Sequence, residues 1–282
     1  MSTLAINRTP RTARFLRVAL VYAALVALGA LFFAPFVWLL MTSFKPEADI
    51  FQTVLPRRWV LDNYARGLTH FPFPLYLRNT LVICTANVVG VVISSSLVAY
   101  GLARIPWRGA PILFALLLST MMLPAQVTMV PLFSIFKWLG WIDTFLPLTV
   151  PAFLGNAFFI FLLRQFFLTI PADLTDAARL DGCTEFDIHR RVIVPLATPA
   201  LATVALFTFM NTWNDFLGPL IYLYDDRKFT LSLGLAMFTS QYGSFWGQLM
   251  AVSTVMTAPI LVLFFFTQRT FIQGITMTGL KG

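Results

Sequence analysis

Six apolar stretches alternate with polar ones along the chain, at 18–41, 78–102, 111–136, 146–168, 192–223 and 246–267. Each approaches or exceeds the ~20 residues that an α-helix needs to cross a ~30 Å hydrocarbon core. The pattern therefore predicts an all-α membrane protein with six transmembrane helices. The first stretch follows a polar segment that carries Arg8, Arg11, Arg14 and Arg17. It is longer than the apolar region of a secretory signal, about 7–15 residues, so it reads as an uncleaved first span. Prolines in the third stretch (Pro124, Pro131) and the fifth (Pro195, Pro199, Pro219) predict kinks. Such kinks arise beside a pathway or from packing alone.

Composition strengthens this picture. The chain is 58% hydrophobic and 11% charged, against roughly 45–50% and about 25% in soluble domains. The net charge of +8 would point a soluble protein toward nucleic acid. Here the cations flank apolar stretches, where they set topology, and no nucleic-acid partner is expected. Lys and Arg number 12 on the side of the two termini and 8 on the other, and the four before the first span dominate. Both termini and the 164–191 loop are thus expected in the cytoplasm. The expected organisation is a cytoplasmic segment 1–17, a membrane domain 18–267 containing a cytoplasmic loop 169–191, and a cytoplasmic tail 268–282.

Several chemistries are absent from the sequence. Cys84 lies in an apolar stretch and Cys183 in a polar loop, so no disulfide is expected. His70 and His189 are too few and too far apart for a metal site. No catalytic residue is assigned: acids, histidines and nucleophiles do not cluster at one depth, as a membrane-embedded enzyme would require. No cofactor is expected. There is no G-x-x-x-x-G-K-[ST] phosphate cradle.

The loop between the fourth and fifth stretches reads as helix–Gly–helix. Asp173 is expected to cap a first helix from Leu174, with Asp176 in its first turn. Gly182 is expected to end it. Thr184 then starts a second helix, with Asp187 completing a capping box. Ala177 and Ala178 are expected to leave a flat face that another protein can approach. On the residues alone, this is either a docking site or a well-capped connector.

The segment resembles the EAA motif of binding-protein-dependent ABC importer permeases, E-A-A-x3-G-x9-I-x-L-P. Asp176, Ala177, Ala178, Gly182, Val192, Val194 and Pro195 occupy its defined positions, with Asp for Glu and Val for Ile and Leu. Trp213 to Leu220 resembles the fifth-span signature of carbohydrate-type permeases, and Thr42-Ser-Phe-Lys45 their opening. The tail from Gln268, with Gly274, Gly279 and Lys281, resembles their C-terminal end. The similarity is to the maltose-permease second-subunit type. It implies a type I importer permease fold in a prokaryotic inner membrane, importing a sugar, an oligosaccharide or a related polar solute such as a glycerol phosphate. It also implies a second permease subunit in a heterodimer, two ATPase subunits and an extracytoplasmic binding protein. Asp176, Ala177, Ala178, Gly182 and Pro195 would couple to the ATPase, and Gly274, Gly279 and Lys281 would contact it from the tail. A permease for a non-sugar solute or an ion-coupled secondary transporter are the alternatives. The second would not need the helix–Gly–helix.

Polar side chains inside spans are costly and mark candidate function. Asn87, Gln126 and Asn156 can meet a sugar hydroxyl or make interhelical hydrogen bonds. Asn211, Trp213, Asn214 and Asp215 complete the candidate pathway or gate. A straight helix from Val192 would carry Asn214 and Asp215 toward the outer part of the fifth span, to a gate or to a wet helix end. Gly218-Pro219 is expected to break the helix after them.

Overall fold

The computed structural model describes residues 11–240 and 243–278. These residues are almost wholly helical, with one short pairing of Thr239–Ser240 and Gly243–Ser244. They form two units.

The first unit contains α1 (Arg11–Ser43), the following loop, most of α2 (Asp62–Thr69) and the start of the last helix. From Phe15 on, α1 is apolar on every face and its large side chains are exposed, as expected where the solvent is lipid. Its end is knotted to the loop. Thr42, Ser43 and Lys45 are fully buried. The Lys45 ammonium donates to the Thr53 carbonyl at 2.7 Å, and the Asn63 amide donates to the carbonyls of Ser43 and Lys45, both at 2.9 Å. A charge that deep persists only when hydrogen-bonded. The Glu47 carboxylate accepts from the free amides of Trp246 and Gly247 at 2.9 and 3.1 Å. It thus caps the final helix at its positive end.

The second unit is organised on α3 (Phe73–Ala103), which packs against later helices on two sides. Gly90 admits one close approach: a Cβ there would lie 2.9 Å from the Phe153 ring. The third apolar stretch is not one helix. It divides into α4 (Ala110–Thr120) and α5 (Ala125–Trp138). The division falls at Pro124, which has no N–H to carry the ladder through. The fourth stretch comprises α6 (Leu146–Thr149), a 3₁₀ turn (Val150–Leu154) and α7 (Ala157–Thr169). Then come α8 (Ala172–Leu180), α9 (Glu185–Ile188), a π-helical turn (His189–Ile193) and α10 (Val194–Leu196). The chain continues through α11 (Thr198–Trp213), α12 (Leu217–Tyr222), α13 (Leu231–Ala236) and α14 (Trp246–Thr278). Its core joins Ala99 and Tyr100 of α3, Leu163 and Phe167 of α7, and Ile188, Ile193, Ala197 and Val204 further on.

Among the described residues, four helical segments are long and apolar enough to cross a membrane: Phe15–Ser43, Phe73–Ala103, Leu146–Thr169 and Trp246–Gln268. A fifth is counted if Glu185–Leu196 and Thr198–Trp213 are one crossing, but these meet at 81°. Pro195 and Pro199 predict a kink, but the bend is sharp enough to divide the stretch into two helices. The expected run from Val192 is therefore corrected: it does not carry Asn214 and Asp215 outward along one axis. The two prolines flank Ala197, each removing a backbone donor, and the chain turns there. The expected break at Gly218-Pro219 is corrected too. The helix ends at Trp213, and Gly218 and Pro219 lie in the first turns of α12. Proline suits that position because its missing N–H would have no partner.

The loops on one end of this unit are tied through Asp143. Its Oδ1 accepts from the amides of Tyr224 and Asp225 at 2.9 and 3.0 Å. Lys228 reaches its Oδ2 at 2.6 Å. These donors hold the Asp143 carboxyl down at about 2.

Candidate functional site

The helix–Gly–helix segment forms as α8, Gly182 and α9. Gly182 has φ +80°, the left-handed region. Its N–H bonds the Arg179 carbonyl at 3.0 Å, and that of Cys183 bonds the Ala178 carbonyl at 3.0 Å. This pair of bonds is a Schellman ending. Thr184 Oγ1 accepts from the Asp187 amide at 3.2 Å and donates to the Asp187 carboxylate at 2.6 Å. That hydroxyl, with Arg191 nearby, holds the Asp187 carboxyl below its ordinary value.

Three local expectations change. α8 begins at Ala172 after Pro171, and no side chain caps it; Asp173 lies within the first turn instead. Asp176 lies beyond that turn and pairs with Arg179 at 2.7 Å on an exposed face. Ala178 is buried in the core while Ala177 is exposed. Adjacent helical residues point about 100° apart, so the two alanines do not share an outward face. Pro195 lies on α10, before the 81° corner.

The segment is fastened to α3 by polar contacts that motif reading alone missed. The Tyr100 hydroxyl donates to Glu185 Oε2 at 2.5 Å. Arg179 Nε donates to Glu185 Oε1 at 2.9 Å, and its Nη2 to the Arg104 carbonyl at 3.2 Å. Ser96 and His189 share a 2.8 Å hydrogen bond, and Arg104 donates to the Ile170 carbonyl. Arg179, then Tyr100, holds the Glu185 carboxyl below its ordinary value. A signal was present: Ser96 and Tyr100 stand four apart, on one face of the C-terminal part of α3.

The second feature is a cavity of about 360 Å³ among α3, the 150–156 segment, α7 and α11. Asn87, Asn156, Thr208, Asn211 and Thr212 supply its polar lining. The structure thus brings Asn87, Asn156 and Asn211 together. Asn156 Oδ1 accepts from the Phe159 amide at 3.2 Å and caps α7. Asn87 Nδ2 donates to Thr212 Oγ1 at 3.3 Å.

The other pathway candidates lie elsewhere. Gln126 is exposed on α5 and does not line this cavity. Trp213 is buried and stacks on Phe209, with centroids 5.3 Å apart. It is a packing residue. Asn214 bonds the Met210 carbonyl at 2.8 Å. Asp215 accepts from the Gly218 amide at 3.1 Å, satisfying the start of α12. Gly274 lies in α14; Gly279 and Lys281 lie outside the described residues.

Residues 87–277 match the family described as binding-protein-dependent transport system inner membrane component. The chain is 36% identical over 264 residues to the arabinooligosaccharides transport system permease protein AraQ of Bacillus subtilis, covering 90% of this chain and 92% of that protein. It is 32% identical over 273 residues to the trehalose/maltose transport system permease protein MalG of Thermococcus litoralis, covering 94% and 97%. Among solved structures, a chain of a bacterial ABC transporter involved in the import of the acidic polysaccharide alginate superposes with a TM-score of 0.80. The identity is 25%, covering 93% of this chain and 98% of that one.

Proposed function

Because the chain belongs to the family of binding-protein-dependent transport system inner membrane components, we propose that it forms half of the translocation pathway of an ATP-driven importer for a sugar or oligosaccharide. The observation that carries this reading is the α8–Gly182–α9 segment. It is a capped helix pair bonded back to α3 and its C-terminal end through Tyr100 and the Arg104 carbonyl, and in this reading it lies outside the membrane. An element so held can pass a displacement from a docked partner to the spans.

The partners follow from the same reading. A second permease completes the pathway, two ATPase subunits dock on the cytoplasmic face, and an extracytoplasmic protein delivers the solute. Asp176, Ala177, Gly182 and Pro195 belong to the docking element, with Ala178 anchoring it from beneath. ATP hydrolysis belongs to the partner, since this chain has no phosphate-binding loop. Residues 1–17 and 268–282 flank a membrane domain 18–267 of six crossings with both termini inside. In that count, α4 and α5 together make the third crossing, and α11 with α12 the fifth.

The test is reconstitution with the co-encoded partner permease, ATPase and binding protein. Loaded binding protein is expected to stimulate ATP hydrolysis and solute uptake together. ATP hydrolysis by the highly purified chain alone, or no stimulation of the full complex, would overturn this function.

A further inference from the structure

We propose that this subunit itself carries a solute subsite, in the cavity lined by Asn87 and Thr208, selective for a neutral, hydroxyl-bearing solute over an anionic one. The inference rests on the importer reading and narrows its solute.

Two atoms point to a missing partner. Asn87 Oδ1 and Thr208 Oγ1 are shielded from solvent and have no hydrogen-bond partner, and both residues line the cavity. Thr208 is 5% exposed. Buried polar groups are nearly always paired, so each orphan needs a reason. Most of the helical hydroxyls among the described residues find a partner locally, although Thr42 Oγ1 at the end of α1, outside this cavity, does not. Thr203, on the same helix as Thr208, bonds the Pro199 carbonyl at 2.9 Å, and Ser94 bonds the Gly90 carbonyl at 2.7 Å. Thr208 departs from that habit. The Asn87 amide nitrogen is engaged with Thr212, which leaves the carbonyl oxygen as its open position.

The chemistry of these atoms selects the ligand. An amide oxygen only accepts, so its partner must donate. A threonine hydroxyl does both. Sugar hydroxyls satisfy the two positions, whereas ionised carboxylates and phosphates cannot donate to Asn87 Oδ1. None of the residues lining the cavity is charged. An anion there would be desolvated without a counter-charge, which is costly. The volume of about 360 Å³ falls within the ~300–1,000 Å³ typical of small-molecule sites.

The test uses the complete importer in proteoliposomes. Uptake is measured with maltotriose and arabinotriose as neutral probes and an alginate trisaccharide as the acidic one. A neutral probe is expected to be imported, and Thr208→Val is expected to raise its transport KM about tenfold. Thr208→Ser, which keeps the hydroxyl, is expected to restore it. If Thr208→Val does not insert, Asn87→Leu serves, with the same expected rise. Preference for the acidic probe, or an unchanged KM in both variants, overturns the subsite. ATPase stimulation by the binding protein without uptake of either neutral probe also overturns it and leaves the importer reading standing. Loss of that stimulation in the wild-type complex overturns the importer reading itself.

Discussion

The Tyr100 hydroxyl and the Glu185 carboxylate meet at 2.5 Å, joining a buried residue of α3 to the first residue of α9. The other oxygen of Glu185 is taken by Arg179 of α8, so one carboxylate fastens three helices. Tyr100→Phe keeps the ring in the core and removes only this bond. We expect the ATPase to remain bound and to hydrolyse ATP, while the uptake per ATP falls several-fold. An unchanged ratio of transport to hydrolysis would mean that the bond only stabilises the fold.

Gly182 has a backbone reason to be glycine and no packing reason. Nothing lies within 4 Å of a Cβ built there, yet φ is +80°. Left-handed backbone costs other residues roughly 1–2 kcal/mol, and least for Asn, which tolerates it. Gly182→Leu should therefore abolish uptake without preventing membrane insertion, and Gly182→Asn should retain most of it. Uptake measured beside co-purification of the ATPase checks this. Normal transport by Gly182→Leu would reduce the loop to a connector.

Asp176→Ala should be mild. Asp176 forms an exposed pair with Arg179, of a kind worth about 0–1 kcal/mol. Arg179 keeps Glu185 as its second partner. Uptake is expected within about threefold of the wild type. A collapse of transport with this variant would show that Asp176 makes a stronger contact with the partner than with Arg179.

The Asp143 clasp predicts a pH dependence. Its carboxyl titrates at about 2 in the folded chain against 3.8 ordinarily. A depressed acid contributes stability above its unfolded pKa and loses it as pH falls through the folded one. Between about pH 5 and pH 2, the thermal midpoint of the detergent-solubilised protein should therefore drop. In Asp143→Asn that part of the drop should be absent, and identical pH profiles would refute the assignment.

Topology is checked at Cys183, which is half-buried beside Gly182, while Cys84 is buried. An impermeant thiol reagent should reach Cys183 only after the cells are permeabilised. Labelling in intact cells would invert the orientation.

The helix ends at Gly182 and Thr184 were legible because local chemistry sets them: a left-handed residue and a hydroxyl cap. The 81° corner was not legible. Pro195 and Pro199 announce a kink, but the angle depends on how Ile193 and Ala197 bury themselves in the core. Ala178 illustrates the same limit, since an alanine reads alike whether it faces a partner or the protein's own interior. Thr208 was invisible for a related reason. A threonine in an apolar helix usually bonds its own backbone, and only the structure reveals that this one does not.

The corner at Ala197 makes a bell-crank of the chain. Hydrogen bonds from Ala197 to Ile193 and from Leu201 to Ala197, at 2.8 and 2.9 Å, run through the turn and stiffen it. The arm Glu185–Leu196 is roughly 18 Å long and Thr198–Trp213 roughly 24 Å, at ~1.5 Å per residue. A push of about 3 Å at the tip of the short arm would then swing the far end of the long one by roughly 4 Å. If the corner holds its angle, such a lever would amplify a small stroke and redirect it nearly at right angles, and a movement of the short arm would become a tilt of the helix that lines the Thr208 cavity.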